Sequence, residues 1–427
     1  MYRKRVFAWA LYDWANSAFA TTVMAGFFPV FFKNYWSVGV AATESTFRLG
    51  LANSIASLVI VLLAPLLGAM ADRAGARKRF LLAFASLGVV MTGGLSFVEQ
   101  GEWWIAASLY LFAGIGFAGG NIFYDALIVG VAGPKDYDRV SAFGFALGYL
   151  GGGVLFAVNV AMSLWPAAFG LSNAAEAVRV SFLMVALWWV VFSLPLFLFV
   201  QEPAAGVSEG VAAAVRGGWR QLVDTFRQIR ALKVVALFLA AYWCYIDAVD
   251  TIIRMAVDYG LSLGFDFQHL IVALLITQFV GFPAALVFGR IGTRFGPKRA
   301  VLGAIAVYIA VTLWAMTLDT VADFYGLAVA IGLVQGGVQA LSRSLYARII
   351  PADKSAEFFG FYNMLGKFAA VLGPLLMGAV GLISGSARVA LLAVVVLFAV
   401  GALLLCFVDV ERGREMARTL ERRLPAD

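Results

Sequence analysis

Charge is scarce in this sequence. Charged residues make up 13% of the chain and hydrophobic residues 62%, where a soluble domain carries about 25% charge. A soluble fold of 427 residues cannot hide that much apolar side chain, so lipid must be the solvent. Histidine occurs once, at His269, at the outer start of an expected helix. With no acidic pair at ligand spacing around it, a metal site is not expected and a surface role is. The two cysteines, Cys244 and Cys406, fall inside apolar runs and read as small buried hydrophobes, not a disulfide. Nucleotide motifs are missing too. Gly114-Ile-Gly116-Phe-Ala-Gly119 spells a dinucleotide fingerprint but lies within an apolar helix with no strand before it. Gly360-x5-Gly366-Lys367-Phe368 is one residue too long for a phosphate loop and lacks the Ser or Thr after its lysine. With no nucleophile–base pair either, the chain is expected to be no enzyme and to hold no cofactor. Energy must then come from a gradient.

What is abundant is apolar helix. A bilayer span needs about 20 mostly apolar residues, and twelve stretches qualify: 7–32, 49–71, 80–98, 103–130, 140–164, 179–200, 233–257, 267–289, 300–318, 322–345, 357–383 and 387–409. Arg3-Lys4-Arg5 before the first resembles a signal peptide. The run is too long, holds Asp13 and lacks a cleavage site, so it reads as the first membrane helix. The net charge of +7 does not point to nucleic acid, because the basic residues lie in short gaps. The odd-numbered gaps hold only Lys33, Arg48, Arg179 and Arg388, whereas the termini and even-numbered gaps hold twenty-six basic residues. The positive-inside rule makes both termini cytoplasmic. Trp36, Trp103, Trp104 and Trp165 fall at the expected outer interface as an aromatic belt.

A loop motif occurs twice. Gly68-Ala-Met-Ala-Asp72-Arg73-Ala-Gly75-Ala-Arg77-Lys78-Arg79 follows segment 2, and Gly289-Arg-Ile-Gly-Thr293-Arg294-Phe-Gly296-Pro-Lys298-Arg299 follows segment 8. Gly119-Gly120 and Phe143-Gly144-Phe145 recur as Gly336-Gly337 and Phe359-Gly360-Phe361. The chain therefore reads as six-helix halves at 1–200 and 233–409, a linker at 201–232 and a tail at 410–427. Within the linker, Trp219, Leu222, Val223, Phe226 and Ile229 share one helical face opposite Arg216, Arg220, Arg227 and Arg230. That pattern suits an amphipathic helix lying on the inner leaflet. Glycines four apart (Gly144, Gly148 and Gly152; Gly116 and Gly120; Gly332 and Gly336) let helices approach closely.

Two parallel six-helix repeats with this loop resemble the major facilitator superfamily over the whole chain. The second loop departs from the pattern, with Thr293 in the acidic position. The resemblance implies that helices 1, 4, 7 and 10 line a central cavity. Charges inside a bilayer are costly and mark functional positions. Five of the six found here lie on those helices: Asp13, Asp125, Asp247, Asp250 and Arg254, with Lys367 on segment 11. Periodicity groups them with polar neighbours into stripes: Asp13, Asn16, Ser17 and Thr21; Trp243, Asp247, Asp250 and Arg254; Gln335, Gln339 and Ser342. Asp13 and Asp125 share a depth in the cytoplasmic third and are expected to share a gate. Asp250 and Arg254 can pair at i, i+4, which leaves Asp247 as the freer, proton-carrying carboxylate near the midplane. Lys367 can hold a substrate carboxylate or neutralise Asp247 or Asp13. In the loops, Asp72 can favour a helix N-terminus and the arginines can bind lipid phosphates, while Lys78 and Arg79 read as topology signals.

The runs Trp9-Ala-Leu-Tyr12-Asp13-Trp14-Ala-Asn16-Ser17, Phe123-Tyr124-Asp125-Ala-Leu127, Gly144-Phe-Ala-Leu-Gly148-Tyr-Leu-Gly151-Gly152-Gly153, Gly336-Gly337-Val-Gln339-Ala-Leu-Ser342-Arg343-Ser344 and Glu357-Phe-Phe-Gly360 are similar to the vacuole-effluxer family and its bacterial relatives. Fungal members are described as exporting amino acids. The resemblance implies an alternating-access carrier, expected to be proton-coupled, for a small polar solute such as an amino acid. A monomer is expected because the two halves already close one pathway, and a bacterial inner membrane because the chain is compact, without long lumenal insertions. An exporter of amphiphiles, with Trp14, Phe123, Tyr124 and Trp243 lining its cavity, is the rival within transport. A non-transporting receptor or scaffold is the rival outside it.

Overall fold

The computed structural model describes residues 2–202 and 232–423. The linker helix expected at 216–230 lies outside the described residues, as does the side chain of Arg254. The described residues form helices and connecting turns. Helix α1 (Tyr2–Ala18) continues through a wide π-helical stretch, Phe19–Phe27, to Trp36. Then follow α2 (Ala42–Ala74), α3 (Arg77–Gly94), α4 (Trp103–Ala126), α5 (Tyr137–Leu164) and α6 (Ala174–Phe199). The second set is α7 (Lys233–Ser262), α8 (Phe267–Phe295), α9 (Pro297–Ala315), α10 (Val321–Ile349), α11 (Ser355–Ser384) and α12 (Ala387–Cys406). A polar helix, α13 (Val410–Arg423), ends the described chain. Among the described residues, eleven helices are long and apolar enough to cross a membrane; α11, at 30 residues, is a further long helix beside them. The protein is a multi-pass membrane protein.

Within the first set, α1 packs on α5 and α6, and α4 on α2 and α3. The second set repeats this, with α7 on α11 and α12 and α10 on α8 and α9. The sets meet along α2–α11 and α5–α8, with α5–α10 and α4–α11 also touching.

Glycine sets the closest approaches. A Cβ on Gly144, Gly148 or Gly152 of α5 would stand 2.6 Å from Asp13 Oδ2, Ser17 Oγ and Thr21 Oγ1 respectively. The ladder expected to permit close packing does so, against the polar stripe of α1. That corrects the reading of Asp13, Ser17 and Thr21 as a cavity face: a repeat of four on each helix lets bare backbone accept small polar side chains.

Helix ends explain the basic loops. Gly75 ends α2 with φ +57°, the left-handed conformation glycine tolerates. Gly296 ends α8 with φ +87° ahead of Pro297 at the start of α9. Lys78 Nζ donates to the carbonyls of Phe197 and Val200 at the end of α6, 2.8 and 2.7 Å away. Lys298 Nζ donates to Cys406 and Val408 at the end of α12, both at 2.8 Å. Each lysine thus caps the last long helix of its own set, so Lys78 is more than a topology signal.

Other expectations need revision. Trp104 and Trp165 are exposed, as a lipid-facing belt requires, but Trp36 is fully buried against Phe28, Phe31 and Phe182. Cys406 is exposed rather than buried. His269 is half-buried, with Nδ1 2.7 Å from Tyr325 Oη.

Candidate functional site

At the end of the bundle that carries the basic loops, α10 passes beside α1, α4 and α5. Arg343 lies on α10 in a helix that runs unbroken to Ile349, so its side chain cannot reach water and is 2% exposed. Its Nη1 donates to Asp125 Oδ1 of α4 at 3.0 Å, and its Nη2 to Asp13 Oδ2 of α1 at 3.3 Å. Nε donates to Ser141 Oγ of α5 at 2.8 Å, and Nη2 also to the Ser141 carbonyl at 3.0 Å. The Ser141 hydroxyl in turn donates to the Ala340 carbonyl of α10 at 2.7 Å. A planar fork of donors can meet several acceptors at once, which a lysine could not.

Second partners hold the carboxylates. Tyr124 Oη donates to Asp13 Oδ2 at 2.7 Å, and Asn363 of α11 to Asp125 Oδ2 at 3.2 Å. The rings of Trp9, Tyr124 and Phe145 lie 4.8, 5.4 and 4.3 Å from the guanidinium carbon. Burying such a pair is expensive, and removing one partner strands a charge at about 3–5 kcal/mol. The expected meeting of Asp13 and Asp125 is present. The residue that joins them, Arg343, lies inside segment 10 near its cytoplasmic end, where the sequence reading groups it, like Arg348, with the loop cations. The available signal was the four-residue spacing of Gln335, Gln339 and Arg343 on one helix face.

The remaining candidates are spread out. Asn16 is buried and donates to Asn121 Oδ1 at 2.7 Å. Gln339 accepts from Tyr149 Oη of α5 at 3.2 Å, Gln335 is buried one turn away, and Ser342 bonds Tyr245 at 2.8 Å. Lys367 Nζ lies 6.0 Å over the Phe117 ring of α4. Asp247 is fully buried and faces Gly373 of α11, whose amide donates to its Oδ1 at 3.0 Å. It therefore faces a helix contact. Asp250 is half-buried on the same helix. Phe123 is fully buried against Phe80 and Phe84 of α3, and Tyr124 against Trp9, so neither lines a cavity wall as an amphiphile exporter would require.

In the first loop, Asp72 accepts from the amides of Ala356 and Glu357 at the start of α11, 3.2 and 2.8 Å away. The expected helix N-terminus is thus the partner, and it belongs to the other set. Arg77 donates to Asp72 at 2.6 Å and to the carbonyls of Asp353 and Ala352 at 2.9 and 3.4 Å. It is buried, which corrects the expectation that it binds lipid phosphate. Gly68 abuts the backbone of Ala356 and Glu357, and Gly289 abuts Ala142. Arg73 ends α2. Arg294 is exposed, 5.3 Å from the Phe295 ring. Thr293 only bonds back to the Gly289 carbonyl at 2.8 Å. The acidic partner at this second contact is Asp138 of α5, which sequence reasoning missed. It accepts from Arg348 at 2.7 Å and from Ser344 at 2.6 Å.

The family model described as "Vacuole effluxer Atg22 like" matches residues 38–135 and 129–418. The chain belongs to that family. It is 36% identical over 98% of its length, and 97% of the relative's, to an uncharacterized MFS-type transporter, YxiO, of Bacillus subtilis (strain 168). It is 25% identical to autophagy-related protein 22 of Yarrowia lipolytica, over 90% of this chain and 79% of that one. In fold, this Atg22-like protein is similar to the proton:xylose symporter XylE (TM-score 0.72, 14% identity, 98% of each chain). It is also similar to the human organic anion transporter MFSD10 (TM-score 0.72, 17% identity, 95% and 99% covered). The Atg22-like chain is thus a major facilitator superfamily transporter and not an enzyme.

Proposed function

We propose that this transporter works by alternating access, coupled to protons, and moves a small polar solute such as an amino acid. The Arg343 cluster carries the reading. A guanidinium from the second set of helices is clasped by two carboxylates from the first. Two carboxylates against one guanidinium leave an excess negative charge in an apolar setting. A proton or a substrate ammonium would offset it, and would weaken the clasp as it did so. A ligand that favours one state over the other is what alternating access requires. The positive-inside rule makes the clasped end cytoplasmic, so the geometry suits a carrier open to the outside. The family description as a vacuole effluxer supports solute export across a membrane, and charges of both signs suit a zwitterion. The reading includes helical halves at 1–200 and 233–409, a monomer and a bacterial inner membrane.

The test is proton flux in proteoliposomes loaded with a pH-sensitive dye, on adding pooled amino acids. The native chain should give substrate-dependent flux, and Asp13→Asn and Arg343→Gln should each lose it. No flux with any pool, from folded protein, would remove the amino-acid assignment. Flux unchanged in both variants would remove the cluster from the coupling path.

A further inference from the structure

Asp247 stands apart from the Arg343 cluster. One of its oxygens accepts the Gly373 amide, and the other, although buried, has no hydrogen-bond partner. Thr251 is one turn further along α7, also fully buried, and its hydroxyl lacks a partner as well. Both side chains converge on the bare Cα of Gly373: a Cβ there would overlap Thr251 Oγ1 and stand 2.9 Å from Asp247 Oδ1. The residue after Gly373 is Pro374. Proline has no amide hydrogen, so the carbonyl four residues earlier, at Ala370, loses its helical donor. An isolated buried carboxylate must be neutralised in some way.

A buried carboxylate oxygen and a hydroxyl that both lack partners supply oxygens suited to a hard cation, and they face a helix stretch in which proline leaves one carbonyl without its donor, a feature that carriers use at ion sites. The charge favours a monovalent ion. Among the described residues no group of three or more acidic, histidine or cysteine side chains converges as a divalent metal would need. We propose that Asp247 and Thr251 of α7, set against Gly373 of α11, form a sodium site inside the second set of helices. Occupancy would join α7 to α11, and this does not depend on what the carrier transports.

The experiment is thermal unfolding of the purified full chain in detergent, in sodium, potassium and choline chloride at equal ionic strength and at several pH values. Sodium should raise the midpoint saturably by several degrees, and potassium and choline should not. Asp247→Asn and Thr251→Val should each remove the sodium increment, and Gly373→Ala should do so by filling the site. Arg343→Gln should keep it, which separates this site from the cytoplasmic clasp. If Asp247→Asn does not fold, Thr251→Val decides alone. Equal midpoints in the three salts would overturn the proposal. So would a response to pH alone that Asp247→Asn abolishes, since that would assign Asp247 a proton.

Discussion

In the first half of the molecule, the loop after α2 reaches across to the other half. Asp72 binds the free amides at the start of α11, and Arg77 ties the turn before that helix to the same carboxylate. In the second half the matching loop after α8 carries Thr293, which bonds only its own helix. The cross-contact there is made from the opposite side, by Asp138 of α5 gripping Arg348 and Ser344 of α10. A duplicated scaffold has kept the helix approach and the glycines that allow it, while the charges that lock each approach have moved to different elements. The central clasp pairs Asp125 of the first set with Arg343 of the second, and these two are not repeat counterparts: the offset that relates Gly119-Gly120 to Gly336-Gly337 places Ser342 opposite Asp125.

Reversing that pair is the most severe way to break the comparison. Asp125→Arg or Arg343→Asp alone leaves like charges facing each other in a buried site, a loss larger than the roughly 3–5 kcal/mol of a simple deletion. Transport should fall below about a hundredth of the native rate in each, with a clear drop in thermal stability. The double reversal, Asp125→Arg with Arg343→Asp, should recover at least a tenth of the flux if direct pairing is what matters. Its failure, in protein that regains native stability, would mean that the sign at each position matters beyond the pair.

The two loop locks sharpen the comparison at smaller cost. Asp72→Asn weakens charge-assisted bonds to two amides and to Arg77, and Asp138→Asn removes one ion pair and weakens the bond from Ser344. Each should cost about 1.5–3 kcal/mol, with Asp72→Asn the more damaging. The two locks share no partners, so the double variant should be additive within about 0.5 kcal/mol in unfolding measurements. Marked non-additivity would show that the two contacts open as one unit.

Much of this was legible in the residues, for reasons of scale. Apolar runs long enough to span a bilayer, repeated glycines and an acid before a basic loop are local patterns, and they marked the long helices, a face of close approach on α5 and the kind of partner that Asp72 takes, though not which helix supplies either contact. Asp13 and Asp125 could be placed at a common depth because rise per residue is constant. Arg343 could not be recognised, because a cation near a helix end reads as a topology signal until the neighbouring helices are known to bury it. Ser141 and Asn363 are polar residues of a type found anywhere. Periodicity also misled: Asp13, Ser17 and Thr21 do share a face, but a helical wheel does not say whether cavity or glycine backbone lies opposite. The surroundings of Asp247 were hidden for the same reason, since its neighbour Gly373 lies 126 residues on.

The mildest contrast tests what the halves still share. Lys78 caps α6 and Lys298 caps α12 through pairs of carbonyls at near-equal distances. A cation at a helix C-terminus contributes about 0.3–1 kcal/mol. Lys78→Ala and Lys298→Ala should therefore lower the unfolding midpoint slightly and by similar amounts, with transport close to native. Lys78 has an added role, because its backbone amide also donates to Glu202, but alanine keeps that bond. Equal small effects would mean the capping lysine survived duplication intact while the acidic locks diverged. A much larger loss at Lys78 would place part of the first lock's strength in the positioning of Arg77 beside it, and the two loops would then differ in their scaffolding as well as in their charges.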